Sequence, residues 1–544
     1  MRKSFTALSI LALSTCVAVS LASCSGTGPP SSPMALTHGR SDPGPLPNPE
    51  VLVDGRFDEW GEVPVLLQDA QDVPDDAAVD LGAIHAAADG RNLFFAFETG
   101  RPVNAQAMRG TVSILLDTDA DPDTGETLEG FHGVDLVVEL SRSGQVDERG
   151  YGSGMAVREI GPDGALGEPG NATPWDLLVA PTHSSAWFEV RLGRVREGGA
   201  HDLPGPNARV AFTFTSNGSV VDRTESATLR LPPLDPTPAP SWSEALDPSG
   251  DFRVLVWNVS SEGIRDRPER FARVMAALRP DVLMLDEVYG DVTEVGVRSF
   301  LGRREFAGGG AWNFVLGGSG GRQKTVVASR FRVRPEPAFQ TLPYPAGALE
   351  ELGERFPEGR RLFAIEQERG LASVGAWVEV AGLPILFVPV DLQSAGYDGS
   401  FQDELRVLQA RTLRRTISEV QQDASRPPAV VVGGDLNLVG SLTPLDSLVH
   451  GLDGNVDLIP ADVFRLTNRS MATWRDPRTP FTPGRLDFVL FSGSALRVER
   501  SFVFDAAELS PDLLLRLGVE PDDSRLAADH LPLVVDFSVG GDAR

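Results

Sequence analysis

The chain has 544 residues, of which 41% are hydrophobic, and a formal net charge of −27. That length predicts two or three domains rather than one hydrophobic core, and the hydrophobic content excludes a largely disordered chain. About −17 of the charge falls in the first 240 residues and about −10 in the remainder, which argues against non-specific binding of long nucleic acid polymers. A small phosphorylated substrate, reached through a metal ion, is compatible with this charge.

The N-terminus has the pattern of an export signal. Basic residues precede an apolar run that ends near Leu21 and is too short and too rich in small residues for a membrane span. The four residues ending at Cys24 resemble the bacterial lipobox, and the resemblance implies that Cys24 is acylated and becomes the mature N-terminus. A plain secretory signal with an incidental Cys is the alternative. We therefore expect a signal peptide at 1–23 and an exported bacterial lipoprotein, anchored by lipid alone on the periplasmic or cell-surface side of a membrane.

Two linkers divide the rest of the chain. Residues 24–49 are rich in Gly, Pro and Ser and are expected to form a flexible tether. A Pro-rich segment at 232–248 predicts a stiff, extended linker. The sequence therefore predicts one domain at 50–231 and a second at 249–540, and a fragment that begins near Pro240 is expected to fold and to keep its activity.

The first domain, 50–231, is predicted to be nearly all strand. Its β-branched and aromatic runs are short and are separated by turn residues, which is the spacing of an antiparallel β-sandwich. The runs are 93–98, 112–116, 134–139, 187–191 and 210–215. The segment from Val53 to Trp60, with a later Asp-rich loop, resembles family 9 carbohydrate-binding modules, which implies carbohydrate as a candidate ligand. Trp60 itself fits a core position better than a sugar-stacking platform.

The Asp-rich loop alternates carboxylates ahead of a glycine. Such spacing can surround a hard cation with oxygen ligands, because each carboxylate otherwise repels the next. A solvated hairpin turn is the plainer alternative. The candidate ligands of a structural Ca²⁺ are Asp117, Asp119, Asp121 and Asp123.

The second domain, 249–540, alternates strand and helix patterns. Apolar residues at helical spacing lie between strand runs at 252–257, 281–285 and 429–432. The two helical faces are Phe271, Val274, Met275 and Leu278, and Leu413, Ile417 and Val420. Strands interleaved with helices predict a layered α/β fold.

Five short motifs with polar residues occur in order along the second domain. They are Val256–Asn258, Arg279–Glu287, Gly433–Asn437, Arg485–Val489 and Ala528–Pro532. Together they resemble the endonuclease/exonuclease/phosphatase superfamily (pancreatic deoxyribonuclease-like) over about residues 251–538. The resemblance implies a four-layer α/β (α+β) sandwich with two β-sheets flanked by helices. It also implies metal-dependent hydrolysis of phosphoester bonds by a phosphodiesterase, nuclease or phosphatase, with nucleic acid fragments, phospholipid head groups and phosphorylated sugars all open as substrates.

The motifs supply side chains of the chemistry that such hydrolysis needs. A phosphoester hydrolase must neutralise charge on the phosphoryl oxygens, orient a water and assist the leaving oxygen. The expected ligands of Mg²⁺ (or Mn²⁺) are Asn258, Glu287 and Asp529. The expected catalytic residues are Asp435 and Asn437, which orient water and contact phosphate, His530, which handles a proton or contacts phosphate, and Asp487, which holds the His530 ring.

One position departs from the commoner pattern of the superfamily. Many members place a His at the end of the strand before the third motif, where it acts as an acid toward the leaving group, but this chain has Asp391. Asp391 either serves as that acid with a raised pKa, or adds a metal ligand, or lowers the activity. The last case gives the alternative function, a catalytically silent envelope lipoprotein that binds glycan or another ligand.

Overall fold

The computed structural model describes residues 46–540 apart from short gaps, which are 48–50, 75, 143–151, 162–163, 197–202, 204, 236–245, 261–262, 290, 307–310, 322, 424–428, 452–453, 455–456 and 468–469. The candidate lipid anchor Cys24 lies outside the described residues, as does most of the Pro-rich linker. Within the described part of the chain, no helix combines the length and the apolar character that crossing a membrane requires.

Residues 51–235, the β-sandwich, form two large antiparallel sheets and a separate two-stranded sheet. Its strands are β1 (Val65–Gln68), β2 (Ala83–Ala88), β3 (Asn92–Val103), β4 (Thr111–Asp117), β5 (Glu126–Leu128), β6 (Phe131–Val134), β7 (Leu136–Leu140), β8 (Met155–Glu159), β9 (Leu178–Ala180), β10 (Ser185–Gly193), β11 (Asn207–Ser216), β12 (Ser219–Arg223) and β13 (Ala227–Arg230). One sheet has the order β1-β2-β3-β10-β9 and the other the order β12-β11-β4-β7-β8, with β13 also paired to β11. Alternate residues of both sheets enclose one apolar core.

Trp60 lies beneath this sandwich and is fully buried. Its indole Nε1 donates a hydrogen bond of 3.1 Å to Glu189 Oε1, which satisfies the polar atom that burial removes from water. Burial, with the nearby charge of Asp54, raises the pKa of Glu189 well above its ordinary value. The indole is therefore a core residue and is not available to stack on a sugar.

Residues 246–540, the α/β part, contain both strands and helices. The strands are β14 (Phe252–Asn258), β15 (Val282–Tyr289), β16 (Asn313–Leu316), β17 (Gln323–Ser329), β18 (Val333–Pro335), β19 (Ala376–Val380), β20 (Leu383–Asp391), β21 (Ala429–Asp435), β22 (Ile459–Pro460), β23 (Asp487–Phe491), β24 (Leu496–Val503) and β25 (Leu533–Val539). The helices are α1 (Gly263–Asp266), α2 (Pro268–Leu278), α3 (Glu294–Leu301), α4 (Ala348–Arg355), α5 (Arg360–Arg369), α6 (Phe401–Asp423), α7 (Thr443–Val449), α8 (Pro511–Leu517) and α9 (Asp523–Ala527).

Two six-stranded sheets form the centre of the α/β part. Their orders are β16-β17-β15-β14-β25-β24 and β18-β19-β20-β21-β23-β22. In β14, Val254 and Val256 pack between the sheets, whereas Leu255 and Trp257 pack toward α2. Because β14 is covered on both faces, every one of its residues is buried, and all of them except Arg253 and Asn258 are apolar. The predicted four-layer sandwich, preceded by an all-β sandwich, is confirmed.

A buried ion pair links the neighbouring strands β14 and β25. Arg253 donates to both carboxylate oxygens of Asp536, at 2.6 and 2.8 Å, and neither side chain is exposed to solvent. Its Nη1 also donates to the carbonyl oxygens of Leu246 and Leu278. Removing one partner of such a pair costs about 3–5 kcal/mol, because the other charge is left buried and unpaired.

Candidate functional site

Five strands of the α/β part carry polar residues that face the space between its two sheets, three of them at the last residue of the strand. In β21, Ala429 and Val431 pack in the inter-sheet core, and side chains two residues apart share a face, so Asp435 faces the same space. The same alternation applies to the other strands. The residues that it places there are Asn258, Asp286, Asp391, Asp435 and Asp487, and each is at most 5% exposed.

Strand register aligns these side chains in two rows. Asp391 pairs with Asp435 across β20 and β21, and Asp435 pairs with Asp487 across β21 and β23. In the other sheet, Asn258 pairs with Asp286. The rows meet where Asn258 Nδ2 donates a hydrogen bond of 3.3 Å to Asp435 Oδ2. Four of the sequence-predicted residues are therefore neighbours, namely Asn258, Asp391, Asp435 and Asp487.

Glu287 reaches the site through an irregularity in β15. Regular alternation places it on the opposite face from Asp286, but the register with β17 shifts between Leu285 and Val288 and Glu287 has φ +52°. A non-glycine residue in this conformation costs about 1–3 kcal/mol and is concentrated at functional sites. The bulge allows consecutive carboxylates to act on one site, since the charge of Glu287 contributes to raising the pKa of Asp391.

His530 and Asp487 form a hydrogen-bonded pair. His530 Nδ1 lies 2.8 Å from Asp487 Oδ2, an oxygen that also accepts a hydrogen bond of 2.6 Å from Thr473 Oγ1. His530 Nε2 lies 3.7 Å from Asp435 Oδ2. Burial alone lowers the pKa of His530, but the charge and hydrogen bond of Asp487, with the charge of Asp435, outweigh burial and raise this pKa well above its ordinary value. The ring is therefore fixed in orientation and held as a proton donor.

Asn437 is fixed beside Asp435 by its own backbone conformation. It has φ +48°, and its N–H donates a hydrogen bond of 2.8 Å to Asp435 Oδ1. Its Nδ2 donates 2.9 Å to the carbonyl oxygen of Leu392, the residue after Asp391. Burial raises the pKa of Asp435 to about 8, and His530 opposes this rise.

Asp391 lies at the position where the commoner family pattern has His. It is 5% exposed, and burial first, then the charges of Glu287, Asp435 and Asp286, raise its pKa well above the ordinary value, while His530 acts in the opposite direction. Without a bound cation, Asp391 therefore carries its proton at pH values where an exposed aspartate is ionised.

Asp529 belongs to a neighbouring group around Asn258. One of its carboxylate oxygens accepts a hydrogen bond from Ser260 Oγ, and the other accepts one of 3.3 Å from Trp474 Nε1. The N–H of Ser260 donates 2.9 Å to Asn258 Oδ1. The structure thus links Asp529 to the site through Ser260, and both of its oxygens already have a protein partner.

Asp286 and Arg406 are site residues that the sequence analysis missed. Asp286 is fully buried, and neither of its carboxylate oxygens has a hydrogen-bond partner among the described residues. Arg406 is also fully buried, and it donates to Gln393 O and to Asp403 Oδ1, both at 2.8 Å. Arg406 is close enough to Asp435 for the charge of that carboxylate to raise the Arg406 pKa, although burial lowers it by more. Two-residue alternation from Met284 could have identified Asp286, whereas no local pattern relates Arg406 of α6 to Asp435.

A divalent cation fits the carboxylates at this edge of the sheets. The oxygens of Asp286 need a partner that the described residues do not provide. Burial first, then the charges of Asp487, Asp435 and Glu287, raise its pKa well above the ordinary value. Mg²⁺ binds through one or two carboxylates and retains several waters. A cage of three closely spaced carboxylates is therefore not needed, and the described residues of the α/β part do not form one.

A three-carboxylate group does occur in the β-sandwich. Asp117, Asp119 and Asp135 place ligand oxygens within 4.8 Å of one another. Burial, then the hydrogen bond to Asp119, raises the pKa of Asp117 to about 6. Two of the four sequence-predicted residues are therefore brought together, with Asp135 of the β6–β7 turn as the third member. Asp121 and Asp123 lie outside the group, because the backbone N–H groups and carboxylates of this loop bond one another across the turn.

Comparisons with known proteins bear on the α/β part. Solved structures with similarity to the chain include humanized D. rerio TDP2 (17% identity, covering 53% of this chain and 98% of that one, TM-score 0.34) and an AP endonuclease from Archaeoglobus fulgidus (16%, 53% and 99%, 0.33). An endonuclease/exonuclease/phosphatase from Bacteroides vulgatus gives 14%, 54% and 100%, with a TM-score of 0.34. The comparison with curated proteins finds no match. Residues 255–530 match the Endonuclease/Exonuclease/phosphatase family, and the chain therefore belongs to this family, whose members hydrolyse phosphoester bonds.

Proposed function

We propose that this protein is an exported, lipid-anchored hydrolase of phosphoester bonds that depends on a divalent cation. The observation that carries the proposal is the meeting of two rows of polar side chains beside a hydrogen-bonded His–Asp pair. His530, paired with Asp487 at 2.8 Å, faces Asp435, which in turn contacts Asn258 of the other sheet. This arrangement combines proton transfer, water orientation and a cation site within one buried edge.

Each residue has a role that its contacts support. Asp435 and Asn437 orient the attacking water and one phosphoryl oxygen, because the hydrogen bond between them fixes their relative position. His530 donates a hydrogen bond or proton to a phosphoryl oxygen, and Asp487 holds its ring. Asp391, protonated through burial, donates the proton that the leaving oxygen needs.

Asn258 and Glu287, with Asp286 beside them, are the residues that would hold Mg²⁺ or Mn²⁺. When bound, the cation neutralises charge on the phosphoryl oxygens. Asp529 helps to place Asn258 through Ser260. The sequence predicted Asp529 as a metal ligand. We propose instead that it supports the cation site indirectly, since both of its oxygens accept protein hydrogen bonds.

The rest of the chain serves to place the enzyme at a membrane and to stabilise it. Acylation of Cys24 would hold the enzyme at a membrane surface, and a structural Ca²⁺ at Asp117, Asp119 and Asp135 would stabilise the sandwich. Carbohydrate is the ligand class that we propose for the sandwich. The net charge of −27 favours a small or short phosphorylated substrate over a long polymer.

The test is hydrolysis of bis-p-nitrophenyl phosphate, plasmid DNA and sphingomyelin by the purified protein, in Mg²⁺, in Mn²⁺ and in chelator. We expect turnover of at least one substrate, its loss in chelator, and its loss in the His530→Gln variant. A parent protein that is inert on all three substrates with either cation would contradict the proposal and favour the silent binding protein.

A further inference from the structure

Two loops leave the candidate site directly after predicted catalytic residues. The 392–400 loop follows Asp391 and the 437–441 loop begins at Asn437. Asn437 Nδ2 already joins them by its bond to Leu392 O. Any shift of either loop therefore changes the position of a side chain that faces the substrate.

The β-sandwich contacts both loops through one buried side chain. Asn104 follows β3 and is 7% exposed. Its Nδ2 donates to the carbonyl oxygens of Val439 and Gly440, at 3.0 and 3.3 Å, and its Oδ1 accepts a hydrogen bond of 2.8 Å from the N–H of Asp398. Both ends of the amide are thus used, one for each loop.

Two further groups of the sandwich bind the same stretch of backbone. Thr182 Oγ1 donates 2.7 Å to Leu438 O, and the N–H of Ser184 donates 2.7 Å to Gly440 O. The three consecutive carbonyl groups after Asn437 therefore all accept hydrogen bonds from the sandwich. A buried carbonyl group that loses such a partner without gaining another is destabilising, so the loop conformation depends on the docked sandwich.

Helix α6 holds other atoms of the same loops. Asp403 accepts a hydrogen bond of 2.9 Å from the N–H of Ser441 and one of 3.4 Å from the N–H of Gly399. Helix α6 also fixes the start of the 392–400 loop, because Arg406 donates to the carbonyl oxygens of Gln393 and Ala395. The sandwich thus fixes the segment directly after Asn437 and the far part of the 392–400 loop at Asp398.

We propose that Asn104 is a positioning residue for catalysis and that the β-sandwich is part of the catalytic unit. Asn104 holds the loops after Asp391 and Asn437 in the geometry that hydrolysis requires, without touching the substrate. The inference rests on the proposed function. It also replaces the expectation that a fragment beginning near Pro240 keeps full activity.

The test uses Asn104→Asp in the full-length protein. This substitution keeps the acceptor for Asp398, but it places an oxygen against the carbonyl groups of Val439 and Gly440. We expect kcat on bis-p-nitrophenyl phosphate to fall about 10- to 100-fold, since displacements of about 1 Å are enough for such losses, with KM nearly unchanged. Asn104→Ala, which adds no charge, is the second variant and should lose kcat in the same direction.

Asn171→Asp is the matched control. Asn171 Nδ2 also donates across the boundary between the two parts, to Pro477 O at 2.6 Å, and its Oδ1 accepts from the N–H of Thr173. The same chemical change there removes both hydrogen bonds that Asn171 Nδ2 makes to the α/β part, to Pro477 O and, at 3.5 Å, to Thr479 O, without touching either loop. We expect kcat to stay within about twofold of the parent.

We call the hydrogen bonds of Asn104 to the two loops the clamp, and hydrogen exchange tests the clamp separately from the reaction. The amide of Ser184 should exchange faster than in the parent in both Asn104→Asp and Asn104→Ala, and the amide of Asp398 should exchange faster in Asn104→Ala, whether or not the protein is an enzyme. Unchanged exchange would overturn the clamp. Faster exchange with unchanged kcat, or an equal loss of kcat in Asn171→Asp, would overturn the positioning role. A parent that is inert on every substrate would contradict the proposed function, and the positioning role with it, and leave the exchange result to decide the clamp alone.

Discussion

Asp391→Asn is the substitution that separates chemistry from structure most clearly at this site. The carboxyl is 5% exposed and ends β20 in register with Asp435. Burial and the nearby charges of Glu287, Asp435 and Asp286 raise its pKa well above the ordinary value. Asparagine has nearly the same shape but has no proton to donate to a leaving oxygen.

The expected loss depends on the leaving group. General acid catalysis contributes about 10²–10⁴-fold, which corresponds to about 2.7–5.4 kcal/mol of activation free energy. An alkyl phosphodiester should lose that factor in kcat, whereas a nitrophenyl ester should lose far less, because nitrophenolate leaves without a proton. In the parent, turnover of the alkyl ester should fall as pH rises through the raised pKa of Asp391, and Asp391→His should keep or raise activity near neutral pH.

The thermal stability of Asp391→Asn should rise at alkaline pH, although its activity should fall. A carboxyl whose folded-state pKa is raised contributes stability that is fully present below its unfolded pKa and is lost as pH rises through the folded pKa. Asp391→Asn removes this titration. In metal-free buffer the melting temperature of the variant should therefore exceed that of the parent at alkaline pH, and the difference should shrink as pH falls.

Equal losses on both ester classes would refute the acid role of Asp391 and favour a metal or positioning role. No loss on either class, in a parent that is active, would make the residue a bystander. The two esters must be compared in the same cation at the same pH, since a change in cation affinity alone would reduce both rates together.

Five further substitutions test four separate parts of the protein. Glu287→Gln should lower activity by orders of magnitude with little change in metal-free melting temperature, and undiminished turnover would remove Glu287 from the site. Saturating Ca²⁺ should stabilise the parent by about 2.7 kcal/mol at 100 times the dissociation constant, which is measured as a rise in melting temperature. Asp135→Asn should abolish this rise, whereas Asp121→Asn should retain most of it. Cys24→Ala should move the protein from membranes to the soluble fraction, and continued sedimentation would contradict the lipid anchor. Asp536→Asn should lower the free energy of unfolding in urea by about 3–5 kcal/mol, because it leaves a buried arginine unpaired.

Alternation explains why much of the fold and site could be predicted from the sequence. Strands β14 and β21 are mainly apolar on both faces and end in Asn258 and Asp435. The change from apolar to polar residues on the face between the two sheets therefore marks the site. The helical face from Phe271 to Leu278 is buried against the sheet that contains β14 and β15, as its spacing predicts. Such patterns are local, and local patterns can be recognised in one sequence.

The residues that the sequence did not reveal depend on long-range contacts or on broken alternation. Glu287 was predicted only through a family motif, because its route to the site is a bulge with positive φ. Asp135 joins Asp117 across a turn between separate strands. Asn104 lies 294 residues from Asp398, whose N–H it binds. No periodicity relates residues so far apart in the chain.

The same geometry that gathers the carboxylates also makes the site depend on its supports. Burial, and then nearby charges that include Asp435, raise the pKa of both Asp286 and Asp391, and Asp435 is held by the N–H of Asn437 at 2.8 Å. A row of like charges separates unless hydrogen bonds from elsewhere fix the strand ends. Because the sandwich binds the carbonyl groups directly after Asn437, loosening that contact should lower activity well before the fold unravels.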